Sequence, residues 1–558
     1  MRISLCIGAS LVALTSAAPA TAAPGKTDVD CTALATLSLP HATVTAAEVL
    51  RDGVFHEAAG MDGKPRDHAG LPPFCRVRGV STPVPGSRIG FELWLPLGEW
   101  NGRLHMVGNG AYGDRIYYPQ MVARLQNGDV AVATDTGHQG GELGFGAGHP
   151  ERIADWGHRA VHESVVAAKA VAAAFFGSGP RVSYFSGCST GGGQALSEAQ
   201  RYPADFDGII AGDPGNNRTA LNLTFLWQFL KNHRAGDNAT AVVPPDKLLM
   251  VRRAAIAACD GLDGVKDGVI NDPRQCRFDL ATLACSGHED ASCLTAPQID
   301  TLRAIYAGPR DTRTNQPLYG AFLPGSEGSS RTGHDARPGW SAYWANPRLS
   351  QEPQRVDFFR LWAFEDPNWN WWNFDWAKDI DAVRAKLSPL VDATNPDISL
   401  FHARGGKLIL FTGWDDPVGA ASDLLAYYGQ VAAKGQGADA ASRLADTQSY
   451  AELYMVPGMW HCAEGAGATH FSTATRDSAP PVSDARHDMA VALQDWVEHG
   501  RAPQEIIATK FVGAAGPDGK RDIAFQRPLC VFPKVAHYRG GPPDKAESFA
   551  CEVPAEHP

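Results

Sequence analysis

No run of eighteen apolar residues occurs beyond the N-terminus, so the sequence offers no membrane-spanning helix. A basic excess is also missing. Lys and Arg number 50 against 61 Asp and Glu, a formal net charge of −11. A nucleic-acid scaffold needs a basic face to meet phosphates, so that class is set aside. No repeat of fixed period is present, which removes solenoids and propellers. A hydrophobic content of 44% with 20% charged residues argues against global disorder. At 558 residues the chain is too long for one small domain and long enough to bury a large core. The 58 Gly and 39 Pro imply many loops.

The first 22 residues read as a leader rather than as fold. Arg2 is a short positive region, Leu5 to Leu14 a mostly apolar stretch, and Ala20-Thr21-Ala22 a small-residue cleavage signal. The chain is therefore expected to be exported, to the periplasm or outside. Removing Cys6 with the leader leaves ten cysteines: 31, 75, 188, 259, 276, 285, 293, 462, 530 and 551. An even number in an oxidising compartment suggests disulfides. Local spacing favours Cys285–Cys293, Cys259–Cys276 and Cys530–Cys551. Cys31–Cys75 would then tie down the mature N-terminus and leave Cys188 and Cys462. Ten cysteines allow many other pairings, and spacing does not exclude them.

Short apolar strands alternate with helices along the first part of the chain. Strand signals cover Arg88 to Leu95, Leu104 to Val107, Val130 to Ala133, Val182 to Phe185 and Ile209 to Ala211. Helices are expected over Gly157 to Phe176 and Gly191 to Arg201. This alternation implies a parallel sheet covered on both faces. From Asp213 to Arg404 the alternation is lost. It resumes with strands at Lys407–Phe411 and Tyr450–Val456, a closing helix over Asp484 to His499, and a hairpin around Gly516-Pro517-Asp518-Gly519. The reading is one sheet domain in two pieces, 23–212 and 405–558, with an insertion at 213–404.

Gly187-Cys188-Ser189-Thr190-Gly191 matches G-x-S-x-G between a strand and a helix. A turn that tight leaves no room for side chains at its flanks, and it presents the serine oxygen at a helix N-terminus. A serine nucleophile needs a base, and the base an acid. They follow at later strand ends in the order Ser, acid, His. Asp416, with Asp415 as its rival, follows the strand at Lys407–Phe411. His461 follows the strand at Tyr450–Val456. Cys188 precedes Ser189 and Cys462 follows His461, so a bond between them would clamp the nucleophile turn to the histidine loop.

Gly187-Cys188-Ser189-Thr190-Gly191-Gly192-Gly193 and Arg201-Tyr202-Pro203-Ala204-Asp205-Phe206-Asp207-Gly208-Ile209 resemble the tannase and feruloyl esterase family. So do Trp100-Asn101-Gly102-Arg103, Thr134-Asp135-Thr136-Gly137-His138 and Gly458-Met459-Trp460-His461-Cys462. A hydrolase of mono(2-hydroxyethyl) terephthalate is similar to the same family. The resemblance covers nearly the whole mature chain. It implies an α/β-hydrolase core with a large lid, a triad of Ser189, Asp416 and His461, and a Cys188–Cys462 disulfide. Its oxyanion donors would be the backbone N–H groups of Thr190 and Gly110. The segment Cys259 to Val269 crowds three carboxylates into eight residues, a donor set suited to a hard cation, yet in no EF-hand register. The resemblance implies a structural Ca²⁺ held by Asp260, Asp263 and Asp267 and by the carbonyls of Val265 and Val269.

The substrate side is less legible. Trp340, Trp344, Trp362, Trp369, Trp371, Trp372 and Trp376 would suit a planar aromatic acyl group, but each alone reads more readily as lid core. Arg337, Arg348, Arg355 and Arg360 are candidates for a substrate carboxylate. His138 either supports the site or is only structural. The leading expectation is an exported serine esterase acting on small aromatic esters of feruloyl or galloyl type, with no nucleic-acid or membrane partner. Hydrolysis of terephthalate-type monoesters, acyl transfer by the same triad, and a non-catalytic calcium-dependent binding protein on a hydrolase scaffold are the competing readings.

Overall fold

The computed structural model describes residues 28–60, 63–328, 339–345, 351–475, 478–513 and 521–554. The expected leader, Arg337, Arg348 and the turn Gly516-Pro517-Asp518-Gly519 lie outside the described residues.

A ten-stranded mixed sheet forms the centre. In chain order its strands are β1 Ser38–Leu39, β2 Ala42–Leu50, β3 Phe74–Ser81, β4 Ile89–Pro96 and β5 Arg103–Val107. β6 Val130–Thr134, β7 Val182–Cys188, β8 Gly208–Gly212, β9 Lys407–Gly413 and β10 Ala451–Val456 complete it. The spatial order is β1-β2-β3-β4-β6-β5-β7-β8-β9-β10. Neighbours from β1 to β6 pair antiparallel. Neighbours from β6 to β10 pair parallel. The antiparallel β2 and β3 carry no clean alternation in sequence, and they extend the parallel sheet that the strand–helix pattern predicts.

The parallel strands are apolar on both faces because both faces are covered. Successive side chains point to opposite sides. Ile209, Leu408, Leu410 and Leu453 therefore pack in one layer with Val171 and Phe175 of the helix Ala160–Phe176. Ile210, Ile409, Phe411 and Tyr454 pack in the other with Leu493 and Trp496 of the helix Met489–His499. That last helix starts at Met489 rather than Asp484. The Asp488 carboxylate caps it by accepting the Ala490 N–H, while Asp484 closes a separate turn by accepting the N–H groups of Arg486 and His487. The helix read from Gly157 likewise begins at Ala160, behind a widened turn at Asp155–Arg159.

Register positions the site. Gly212 pairs with Cys188 on one side and with Phe411 on the other, and Gly413 pairs with Val456. The carboxyl ends of β7, β8, β9 and β10 therefore lie side by side. The loops that leave them begin at one edge, where open parallel sheets place their sites.

Between β8 and β9 the chain forms the helices Arg218–Asn232, Pro245–Cys259, Ala296–Ala307 and Lys378–Val391, and adds no described strand to the central sheet. Past the closing helix, Glu505–Val512 pairs antiparallel with Asp522–Cys530 as the expected hairpin. Disulfides join Cys31 to Cys75, Cys188 to Cys462, Cys259 to Cys276, Cys285 to Cys293 and Cys530 to Cys551. Three of these are the pairs that local spacing favours, Cys31–Cys75 ties down the N-terminal segment as expected, and Cys188–Cys462 is the pair that the family resemblance implies.

Candidate active site

Ser189 stands between β7 and the helix Thr190–Arg201 with φ 65° and ψ −119°. A non-glycine residue held there is strained, and such strain gathers at functional turns. Its neighbours hold it: the Ser189 N–H donates to the Gly212 carbonyl at 3.0 Å, and the Gly215 N–H donates to the Ser189 carbonyl at 2.9 Å. The glycines are steric necessities. A Cβ on Gly187 would sit 2.5 Å from Gly191 backbone, and one on Gly192 would sit 2.3 Å from the Gly212 carbonyl oxygen.

The two later loops bring a carboxylate and an imidazole together. His461 Nδ1 lies 2.7 Å from Asp416 Oδ2, and Asp416 Oδ1 accepts the Val418 N–H at 2.7 Å. Asp416 is 2% exposed. Asp415 goes elsewhere: its Oδ2 accepts from Arg252 at 3.1 Å, and burial pushes its carboxyl up to about 7 despite that guanidinium. Of the two adjacent carboxylates, Asp416 is the one that meets the imidazole.

Ser189 and His461 line one cavity of about 320 Å³, together with the Cys188–Cys462 disulfide, Gly110, Tyr117 and Arg355. Thr190 is the first residue of its helix, where a backbone N–H has no intrahelical acceptor. Gly110 follows β5 in the cavity wall, where a Cβ would lie 2.6 Å from the Tyr117 hydroxyl. The loop before it is latched to the nucleophile helix. The Gly191 N–H donates to the Asn109 carbonyl at 2.7 Å, the Asn109 N–H donates to Gln194 Oε1 at 3.0 Å, and Gln194 Nε2 donates to Asn109 Oδ1 at 3.1 Å.

Asp213 is a residue the motif pattern did not single out. It follows β8 with φ 35° and is 5% exposed. Its Oδ1 accepts from the Thr412 hydroxyl and the Gly413 N–H, each at 2.8 Å. Its Oδ2 accepts the Cys462 N–H at 2.8 Å. One carboxylate thus ties the acid loop to the histidine loop. Burial, then the charge of Asp416, pushes the Asp213 carboxyl up to about 7. The sequence signal was its place after a strand end in Gly212-Asp213-Pro214.

The aromatic cluster is mostly core. Trp340 and Trp344 are buried in one insertion cluster and Trp362 in another, against which Trp369, Trp371 and Trp376 pack. Trp372 donates to Asn238. None of the seven lines the cavity, whose described aromatic walls are Tyr117 and Tyr343. Arg360 is taken up by Glu352 and Asp357. Arg355 lies over the rings of Tyr112 and Phe225, and its buried Nη1 has no hydrogen-bond partner among the described residues. His138 is structural: its Nε2 is 2.9 Å from the Tyr112 carbonyl, its ring stacks on Phe145, and burial lowers its pKa.

Among the described residues, donor atoms of the kind that hold a metal converge twice, within 4.8 Å: in Cys188, Asp213 and Cys462, and in Asp213, Asp416 and His461. Both sulfurs there are spent in the disulfide and Nδ1 of His461 on Asp416, so this group is satisfied by its own bonds. The loop after Cys259 is different. Asp260 gathers the N–H groups of Asp267, Gly268 and Val269, while Asp267 also pairs with Arg527. A small space of about 20 Å³ is lined by Asp263, Asp267 and Val269 among others, room for one water-sized ion. Burial, then the charges of Asp267 and Asp260, pushes the Asp263 carboxyl up to about 6. An oxygen-rich loop with a carboxylate in need of a counter-charge fits a hard cation.

The family model described as tannase and feruloyl esterase matches residues 75–552. An uncharacterized esterase of Xanthomonas campestris pv. campestris is 37% identical, covering 99% of this chain and 95% of that one. The mono(2-hydroxyethyl) terephthalate hydrolase of Piscinibacter sakaiensis is 31% identical, covering 92% and 93%. The crystal structure of feruloyl esterase B from Aspergillus oryzae superposes with a TM-score of 0.82 at 26% identity, covering 94% of this chain and 100% of that one. With the serine elbow and its neighbouring histidine–carboxylate pair at the carboxyl edge of the sheet, these matches place the chain in the tannase and feruloyl esterase family, as a carboxylic ester hydrolase of the α/β-hydrolase fold.

Proposed function

We propose that this protein is an exported serine esterase that hydrolyses carboxylic esters of aromatic acids through Ser189, His461 and Asp416. The observation that carries the reading is the 2.7 Å contact of His461 Nδ1 with Asp416, on an imidazole that shares its cavity with the strained Ser189. With Nδ1–H donated to the carboxylate, Nε2 is the free base. It takes the Ser189 hydroxyl proton as Oγ attacks the ester carbonyl. The tetrahedral oxyanion is held by the N–H groups of Thr190 and Gly110. His461 then passes the proton to the leaving alkoxide, which departs as alcohol. Water repeats the sequence on the acyl-enzyme and releases the acid.

Feruloyl or galloyl esters are the leading substrate class, in keeping with the names of the family and of its solved relative. A second reading, hydrolysis of terephthalate-type monoesters, is favoured by the unanswered Arg355 Nη1 beside the cavity, the group a free carboxylate on the acyl part would meet. The insertion 213–404 is read as the lid, and Ca²⁺ as a structural ion on Asp260, Asp263 and Asp267 with the carbonyls of Val265 and Val269. Export is supported by ten cysteines in five disulfides.

Ser189→Ala should lose several orders of magnitude in kcat, and a serine-directed phosphonate should label Ser189; label on another residue overturns the nucleophile. Relative kcat/KM for feruloyl, galloyl and terephthalate esters, each repeated with Arg355→Gln, separates the two substrate readings. Only the monoester should suffer from that substitution.

A further inference from the structure

A second and larger cavity, about 750 Å³, lies behind the histidine loop. None of its described lining residues lines the catalytic cavity. Trp460 and Thr469 form its inner wall. Arg252 and Arg253 enter from the helix Pro245–Cys259, and Lys510 and Phe511 from the strand Glu505–Val512, with Arg521 beside them.

Its charge runs against that of the molecule. Among the described residues four cations line it against one carboxylate, that of the exposed Glu464, on a chain of net charge −11. Arg252 is committed to Asp415 and the Gly325 carbonyl, and Lys510 donates to the Gly465 carbonyl. Arg253 and Arg521 have no ion pair among the described residues; the Arg521 guanidinium lies 4.2 Å from the centre of the Phe511 ring. Two buried groups also point to a missing partner. Trp460 is 9% exposed and Thr469 1%, yet Trp460 Nε1 and Thr469 Oγ1 have no hydrogen-bond partner among the described residues. Buried donors are rarely left unanswered.

We propose that this cavity is a second binding site, for a ring-bearing organic carboxylate. The carboxylate meets Arg253 and Arg521, whose guanidinium forks match its two oxygens. The ring packs against the indole of Trp460 and the ring of Phe511, and a polar oxygen on the ligand answers Trp460 Nε1 or Thr469 Oγ1. A cavity of this size with mixed apolar and cationic walls suits a single-ring acid.

Benzoate is the probe, titrated calorimetrically into the intact protein, with benzamide and inorganic phosphate in parallel. Benzoate should bind, benzamide and phosphate at least about tenfold more weakly. Arg253→Gln with Arg521→Gln should weaken benzoate about tenfold, and Arg355→Gln in the catalytic cavity should leave it unchanged. Trp460→Phe keeps the ring, removes the N–H and should weaken benzoate as well, which guards against misfolding of the double variant. Loss of binding in Arg355→Gln alone would place the ligand in the catalytic cavity and overturn the site. Equal binding of benzamide, equal binding of phosphate, or no benzoate binding at millimolar concentration would overturn it too.

Discussion

Asp213 accepts the backbone N–H of Cys462 at 2.8 Å, and so joins the end of β8 to the residue after His461. The same carboxylate holds Thr412 and Gly413 at the end of β9. It is not among the residues that line the cavity shared by Ser189 and His461, so the expected role is to position the imidazole rather than to meet substrate. Asp213→Ala should lower kcat about ten- to hundredfold, the cost of misplacing reacting groups, with KM little changed. Asp213→Asn, which keeps an acceptor oxygen, should recover part of the loss. Wild-type kcat in both variants would remove Asp213 from the positioning of the site.

The adjacent carboxylates Asp415 and Asp416 should separate cleanly. Asp416→Asn leaves His461 in the wrong tautomer, which elsewhere costs about ten-thousandfold in kcat. Asp415→Asn removes the ion-pair partner of Arg252, which keeps only the Gly325 carbonyl, and should act on stability instead. Kinetics and melting curves on both variants decide it; a dead Asp415→Asn beside an active Asp416→Asn reverses the assignment.

The Cys188–Cys462 bond closes a span of 274 residues. Chain-entropy reasoning assigns such a loop roughly 5 kcal/mol, though measured values often fall short. Its adjacency to Ser189 and His461 predicts an effect on rate beyond stability. Replacing both cysteines by Ala, with kcat measured well below the variant's melting temperature, should show a large loss in folded protein. Unchanged kcat there would leave the bond as a staple only.

Chelation should lower the melting temperature, because a ligand that binds only the folded state stabilises it. Asp263→Asn should abolish the chelator's effect, and elemental analysis of the purified protein should find calcium. A melting curve indifferent to exhaustive chelation, with no metal present, rejects the ion.

Stability should fall as pH rises. Burial pushes Glu452 up to about 8, and Asp213, Asp415 and Asp423 each up to about 7. Their folded pKa values lie above the unfolded ones, so the stabilisation is complete below about pH 4 and is lost progressively as pH rises from there through the folded values of about 7 to 8. Each proton released on unfolding contributes about 1.4 kcal/mol per pH unit in that window. Glu452→Gln, neutral at every pH and still able to accept from Tyr454, should flatten the decline in melting temperature between pH 5 and 8.5. A slope identical to wild type would show that Glu452 is ionised in the fold.

Much of the parallel sheet was legible because its strands are short apolar runs between turn residues. Val130–Thr134, Gly208–Gly212 and Ala451–Val456 are buried along their whole length, and no competing period obscures them. The antiparallel β2 and β3 were not legible, since half-exposed Thr, Ala and Arg residues there blur the alternation. The insertion helices were hidden among Pro, Asn and Trp, whose positions follow packing rather than a clean helical stripe.

Local chemistry lay in the sequence itself. Only glycine fits at 187 and 192, so the turn that presents Ser189 is written in those residues, and cysteine spacing already favoured the three local disulfides. Other relationships depend on groups far apart in the chain. Whether His461 meets Asp415 or Asp416 turns on Arg252, a residue of the helix Pro245–Cys259, 163 positions before Asp415, that takes the first carboxylate away. That Asp213 should hold Cys462, 249 residues onward, follows from the register that sets the ends of β8, β9 and β10 side by side. The tryptophans became core and the open cationic cavity formed behind Trp460 for the same reason. Burial and free volume belong to the packed assembly, and no single segment carries them.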